Sequence, residues 1–247
     1  MNDLGVLLIH GFTSDPSAML PIARIAEALG YATEAPLLRG HGLTYRDLRG
    51  TSWDDWMADV ANGLTSLRQR ARRIVIAGFS LGGLLALETA AQHDDLEGVI
   101  ALAPALRIAH PLARYAILAR GWLPFVPMGK AVAYSDPQMA KGDNSYSRLA
   151  VDAFVSFYRA SRRAERSLPR ITAPILVLHA VHDRVIWPDA AAMAYEGVSS
   201  TEKELVWFPR SGHALLDDVD AEEVLAHVRG FLARRVTRLL EATASTG

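Results

Sequence analysis

The stretch RIVIAGFSLGGLLALETAA, Arg73 to Ala91, changes character at its middle. Its first half is a short β-branched apolar run ending in glycine, the pattern of a buried strand; its second half is rich in Leu and Ala, the pattern of a buried helix. Between them Ser80 stands in Gly78-Phe79-Ser80-Leu81-Gly82. A strand that turns sharply into a helix holds its central residue in a strained conformation, and glycines two positions before and after leave out the Cβ atoms that would collide there. The serine is pushed into the open, in the setting that gives G-x-S-x-G its chemical meaning. The competing reading is a helix N-cap serine whose glycines only ease packing.

Working outward, GVLLI (Gly5 to Ile9), YATEAP (Tyr31 to Pro36), GVIALAP (Gly98 to Pro104), PILVLHA (Pro174 to Ala180) and KELVWFP (Lys203 to Pro209) are further short apolar runs bounded by Gly or Pro. With RIVIAG they make six strand candidates. Helical patterns lie between them at Ser17 to Leu29, Trp53 to Arg70, Leu81 to His93, Asp189 to Gly197 and Ala221 to about Leu240. Alternating strands and helices predict an α/β class with a doubly wound, mostly parallel sheet. The tail EATASTG is expected to fray.

One connection is too long for a simple crossover: Ala105 to Arg170. Helix-like patterns at Pro111 to Arg120 and Leu149 to Glu165, with many large side chains, read as a small helical cap over the strand ends, where ligands bind in open α/β sheets. The expected organisation is a core formed by residues 1–104 and 171–247, with residues 105–170 as the cap. Trp122, Phe125, Tyr146 and Phe154, together with Val185 beside the core loop, are the expected substrate-binding side chains.

Composition bounds the function. The 247 residues are 50% hydrophobic and 21% charged, enough for one large core. The 26 Lys+Arg against 27 Asp+Glu leave a net charge of -1, with no basic excess for nucleic acid. Cys is absent, which removes disulfides, thiolate metal sites and a cysteine nucleophile. The apolar run Val6 to Ile9 is too short for a signal peptide or membrane span, so the expected location is cytoplasmic, with no integral membrane association.

A serine hydroxyl needs a base and a group that orients the base. His213, in PRSGHALLDD after the last strand, is the expected base; Asp183, just past PILVLHA in HAVHDRVI, is the expected acid. Asp217 and Asp218 are rivals for the acid but stand only four and five residues past His213, where they would begin or cap the last helix. The two histidines of HAVHD beside a carboxylate suggest a metal site only weakly, since no further cluster completes a ligand set. An oxyanion needs two N–H donors: Leu81 at the helix start, and Phe12 in the HGFT loop (His10 to Thr13) after the first strand. His10, and His41 in RGHG (Arg39 to Gly42), are expected to brace loops.

HGFT, RGHG, WDDW (Trp53 to Trp56), GFSLGG, HDRVI and SGHALLDD together resemble bacterial α/β-hydrolase carboxylesterases and monoacylglycerol lipases over nearly the whole chain. The resemblance implies an α/β-hydrolase fold and cleavage of a small-molecule ester or acylglycerol through an acyl-enzyme, without metal or organic cofactor. It carries the nucleophile onto Ser80, the acid onto Asp183, the base onto His213 and the oxyanion donors onto Phe12 and Leu81. The chain begins almost at the HGFT strand, so a reduced sheet is expected. A carboxylesterase for short-to-medium acyl chains and a monoacylglycerol lipase both fit, as does, from another class, a small-molecule receptor on the same fold. The cap segment carries the weakest part of the resemblance.

Overall fold

The computed structural model describes residues 2–109, 115–119 and 121–244. Six strands form one sheet: β1 (Asn2–Ile9), β2 (Ala32–Glu34), β3 (Ala71–Phe79), β4 (Gly98–Leu102), β7 (Ile175–Ala180) and β8 (Lys203–Phe208). Their order is β2-β1-β3-β4-β7-β8, with every pairing parallel. Each of the six apolar runs thus supplies a strand; the inner strands, buried on both faces, need no polar alternation, while the edge strands β2 and β8 are only partly buried. In β1, Val6 and Leu8 face one hydrophobic layer while Leu7 and Ile9 face the other, and all four are buried.

Helices cover both faces. Helix α1 (Leu20–Ala28) and helix α7 (Ala221–Ala244) share the layer of Val6 and Leu8, where Ile22 and Ile25 meet Val224, Val228, Phe231 and Leu232. Helices α2 (Trp53–Arg68), α3 (Leu81–Ala90) and α6 (Asp189–Gly197) pack on the opposite face. Helix α2 starts at Ser52, whose hydroxyl and the Asp55 carboxylate form a reciprocal capping box. The chain leaves β1 toward β2 on one side and returns to β3 on the other, so the order reverses between β1 and β3. A crevice opens at such a reversal, and the loops after β1 and β3 flank it.

The segment between β4 and β7 differs from the purely helical expectation. It holds α4 (Ala116–Ala119), β5 (Phe125–Pro127), β6 (Arg148–Ala150) and α5 (Val151–Ala164), with short 3₁₀ turns at Lys130–Ala133 and Met139–Gly142. Strands β5 and β6 pair antiparallel, Phe125 opposite Ala150. Three-residue strands, one containing a proline, are too short for alternation to show in sequence. Of the helical pattern at 111–120, residues 111–114 and 120 lie outside the described residues. The end of the chain also differs: Glu241 to Ala244 continue α7, as the good helix formers Glu and Ala allow, and only residues 245–247 of the predicted fraying tail lie outside the described residues. Among the described residues, no helix is long and apolar enough to cross a membrane.

Candidate active site

Ser80 joins β3 to α3 with φ 56 and ψ -112, a conformation that L-residues rarely adopt. The steric reason for its glycines is direct. A Cβ on Gly78 would lie 2.0 Å from the Gly82 oxygen, and one on Gly82 would lie 2.0 Å from the Ile9 oxygen. The start of α3 therefore presses against both β3 and the end of β1. Ser80 makes no capping bond with its side chain, although it occupies the N-cap position. Its hydroxyl faces His213 instead, with Nε2 at 2.9 Å from Oγ.

His213 lies in the loop after β8, and its Nδ1 is 2.7 Å from Asp183 Oδ2. The two contacts assign the ring tautomer: the proton on Nδ1 donates to the carboxylate, and Nε2 accepts from the serine hydroxyl. Asp183 follows β7, and its other oxygen accepts from the Val185 and Ile186 N–H groups at 2.8 Å each. Burial opposes the Asp183 charge, but the adjacent His213 ring with its hydrogen bond, His179 and the Ile186 N–H outweigh it and hold the carboxyl below its usual range. All three side chains are buried, Ser80 at 7%, Asp183 at 3% and His213 at 6% exposure, so their mutual contacts are little screened by water.

Neither rival acid hydrogen-bonds the His213 ring. Asp217 is exposed, while Asp218 is buried and directs its carboxylate to backbone groups and Ser135. The two histidines of HAVHD diverge. His179 is fully buried, donates from Nε2 to the Ile186 oxygen at 3.4 Å and is kept neutral by desolvation, whereas His182 is exposed. Among the described residues, no group of three or more His, Asp or Glu converges as a metal set.

Phe12 lines the same cavity as Ser80, and Leu81 directly follows the serine; neither N–H donates a hydrogen bond to the backbone among the described residues. Leu81 is the first residue of α3, whose N-terminal N–H groups have no partner within the helix and carry its positive dipole end. The loop carrying Phe12 is braced from below. His10 donates from Nδ1 to the Gly11 oxygen at 2.9 Å and accepts at Nε2 from the Leu38 N–H at 3.2 Å. His41 packs edge-on against His10, 5.0 Å between ring centres, and Nδ1 is 3.2 Å from the Leu38 and Arg39 oxygens. Desolvation lowers the His10 pKa to about 4; desolvation, then the neighbouring His10, lowers that of His41 to about 3.

A cavity of about 860 Å³ opens onto Ser80 and His213. Phe154 and Val185 line it, as expected, with Val126, Phe157 and Ile186. Three expected substrate-binding residues do not. Trp122 is 92% exposed, in a connection that leaves its ring in solvent. Phe125 packs edge-on against Tyr45, 5.1 Å between centres, while its neighbour Val126 reaches the cavity. Tyr146 ties the segment between β4 and β7 to the loops after β1 and β2: its N–H donates to the Thr13 oxygen at 2.9 Å, and its hydroxyl accepts from the Leu43 N–H at 3.0 Å. Side-chain size alone placed these three in the pocket, and size does not report direction. Asp218, expected in the sequence as a rival acid or a cap of the last helix, accepts instead from Ser135 and the Gly212 N–H.

Comparison with known proteins agrees with this geometry. The Hydrolase_4 family model, described as serine aminopeptidase, S33, matches residues 2–220. A thermostable monoacylglycerol lipase of Bacillus sp. (strain H-257) is 32% identical over 94% of this chain and 91% of its own. A carboxylesterase of Bacillus subtilis (strain 168) is 25% identical over 94% of this chain and 93% of its own. A solved structure from work on the metagenome-derived lipolytic enzymes LipS and LipT superposes with a TM-score of 0.87, at 28% identity over 95% of both chains. With the parallel sheet, the strained serine turn and a family match running from β1 to the last loop, this chain belongs to the Hydrolase_4 (serine aminopeptidase, S33) family of α/β-hydrolases.

Proposed function

We propose that the protein hydrolyses carboxylic esters through an acyl-enzyme on Ser80, with His213 as base and Asp183 as the acid that orients it. The observation that carries this reading is the unbroken relay from Asp183 through His213 to Ser80, at 2.7 and 2.9 Å, at the mouth of an apolar cavity. As Ser80 Oγ bonds to the ester carbonyl carbon, its proton passes to His213 Nε2. The imidazolium is stabilised by Asp183, and the Phe12 and Leu81 N–H groups receive the charge on the carbonyl oxygen. Collapse of this intermediate breaks the carbon–oxygen bond of the ester, and His213 returns the proton to the departing alcohol. Water then attacks the acyl-enzyme by the same route, releasing the acid and restoring Ser80. This chemistry needs no metal or organic cofactor.

The apolar wall of Val126, Phe154, Phe157 and Val185 suits an acyl chain, and short-to-medium chains are the first reading. One observation favours a monoacylglycerol as well. Lys130, Tyr134, Asp143 and Asp217 also line the cavity, and Asp217 follows His213 by four residues, so hydroxyl-binding groups sit beside the loop that protonates the leaving alcohol. The Bacillus relative named a thermostable monoacylglycerol lipase supports the same choice.

Ser80→Ala is expected to lower kcat on p-nitrophenyl butyrate by about 10⁴-fold or more without unfolding the protein. Most of the activity surviving would sink the reading, and failure of a fluorophosphonate to label Ser80 would revive a binding role. Rates on a series of monoacylglycerols against simple esters separate the two esterase readings.

A further inference from the structure

Asp218 is buried at 4% exposure, yet its carboxylate caps no helix and touches no ring of the proposed relay. Oδ2 accepts from the Gly212 N–H and from the Ser135 N–H, each at 2.7 Å. Oδ1 accepts from the Ser135 hydroxyl at 2.5 Å and from the Val219 N–H at 2.8 Å. Gly212 is the residue before His213, and Ser135 belongs to the segment inserted between β4 and β7. One buried carboxylate therefore joins the loop of the base to the inserted segment. Hydrogen bonds to an ionised acceptor are the strong kind, and the four donors outweigh the desolvation that opposes the charge.

Two further contacts concentrate at the same seam. The Ala214 N–H donates to the Ala133 oxygen at 2.8 Å, so the inserted segment bonds to the chain on both sides of His213. Gly212 permits this approach, since a Cβ there would lie 2.7 Å from the Ala133 oxygen. Tyr134, between the two anchored residues, lines the cavity.

We propose that Asp218 is a positioning residue that makes correct placement of His213 depend on seating of the inserted segment at Ser135. The inference rests on the reading of Ser80 and His213 as nucleophile and base. Displacing residues 133–135 from the core breaks the Ser135–Asp218 and Ala133–Ala214 bonds, leaving the Asp218 carboxylate that holds Gly212 without its fixed partner, so the His213 loop and the cavity wall loosen together. A loop anchored through the Gly212 and Ala214 N–H groups on either side of His213 holds an imidazole within hydrogen-bond reach of Ser80; a looser loop loses that geometry before it loses the fold.

The test compares wild type, Asp218→Asn, Ser135→Ala and the double variant, using p-nitrophenyl acetate kinetics, the rate of fluorophosphonate labelling at Ser80 and the thermal midpoint. Asp218→Asn is expected to lower kcat and the labelling rate together by about 10- to 100-fold, with KM within about twofold. Ser135→Ala, a change at an exposed residue, is expected to lower both by about threefold, and the double variant by less than the product of the singles, because the two side chains share one bond. A kcat within about twofold of wild type for both single variants, with only the midpoint lowered, overturns the proposal. Effects that multiply in the double variant overturn it too. Should Asp218→Asn fail to fold, the Ser135→Ala kinetics decide. A wild-type protein that does not label at all refutes the nucleophile reading instead, which keeps the two failures apart.

Discussion

The turn at Ser80 and the segment above it are held by different forces. At the turn, backbone meets backbone: Gly78, Gly82 and the end of β1 stand so close that a single added methyl group overlaps a carbonyl oxygen. The inserted segment is held by side chains: Ala153, Phe157 and Ala164 of α5 pack into the core, and Tyr146, Ala133, Ser135, Asp152 and Ser156 hydrogen-bond to core residues, beside other side chains that face a large cavity. Sterically locked backbone holds an attacking atom in place. Side chains that face open cavity space tolerate exchange, which is what substrate choice requires.

Asp183→Asn should show the largest effect on the locked side. An amide cannot hold the His213 tautomer in the same way, so kcat on p-nitrophenyl butyrate should fall by about 10⁴-fold at neutral pH with the thermal midpoint little changed. A loss under tenfold would break the relay. Gly82→Ala should come next, costing about 4 kcal/mol or more, because the Ile9 and His10 oxygens it meets belong to a buried strand end and cannot give way. A soluble variant with an unchanged denaturation midpoint would show the turn to be looser than its geometry.

Acid should act through the loop beneath Phe12. His10 and His41 titrate near 6.5 when unfolded but at about 4 and about 3 when buried. Between pH 6.5 and 4 the unfolded chain therefore binds more protons than the folded one, and stability rises with pH across that window. Their contribution is fully present above pH 6.5 and is lost as pH falls toward 4 for His10 and toward 3 for His41. Urea midpoints at pH 7.5 and 4.5 should differ by the equivalent of roughly 5 kcal/mol for the pair. Equal midpoints would mean that the two rings are not buried neutral.

On the exchangeable side, Phe154→Ala should raise KM for an octanoate ester about tenfold relative to an acetate ester and leave kcat on acetate close to wild type. The same change in both esters would remove Phe154 from the acyl wall. Trp122→Ser should do least, shifting stability by less than about 0.5 kcal/mol and leaving turnover of acetate esters unchanged, since its ring touches solvent. A large effect would mean that the ring has a partner the fold does not show.

Much of this was readable beforehand. The six runs needed only their length and their Gly and Pro boundaries, and the inner ones are near-uniformly apolar because parallel strands inside the sheet are buried on both faces. Ser80, Asp183 and His213 were found by their places just past strands and by their order along the chain, and the structure brings all three within hydrogen-bond reach. The inserted segment was read poorly. Its paired strands are three residues long, and whether Phe154 or Trp122 enters the cavity depends on the direction of each side chain.

The sequence by itself determined the sheet, the helix faces and the serine turn, because strand burial, helical periodicity and glycine sterics act over a few neighbouring residues. Chain order pointed to Asp183 for His213, but only the tertiary structure decided what Asp218 holds. Asp183 reaches His213 across 30 residues, whereas Asp218, five residues away, turns instead to Ser135 and the backbone. A carboxylate's partner is set by the donors that packing brings within about 3 Å, and separation along the chain carries almost no information about that distance.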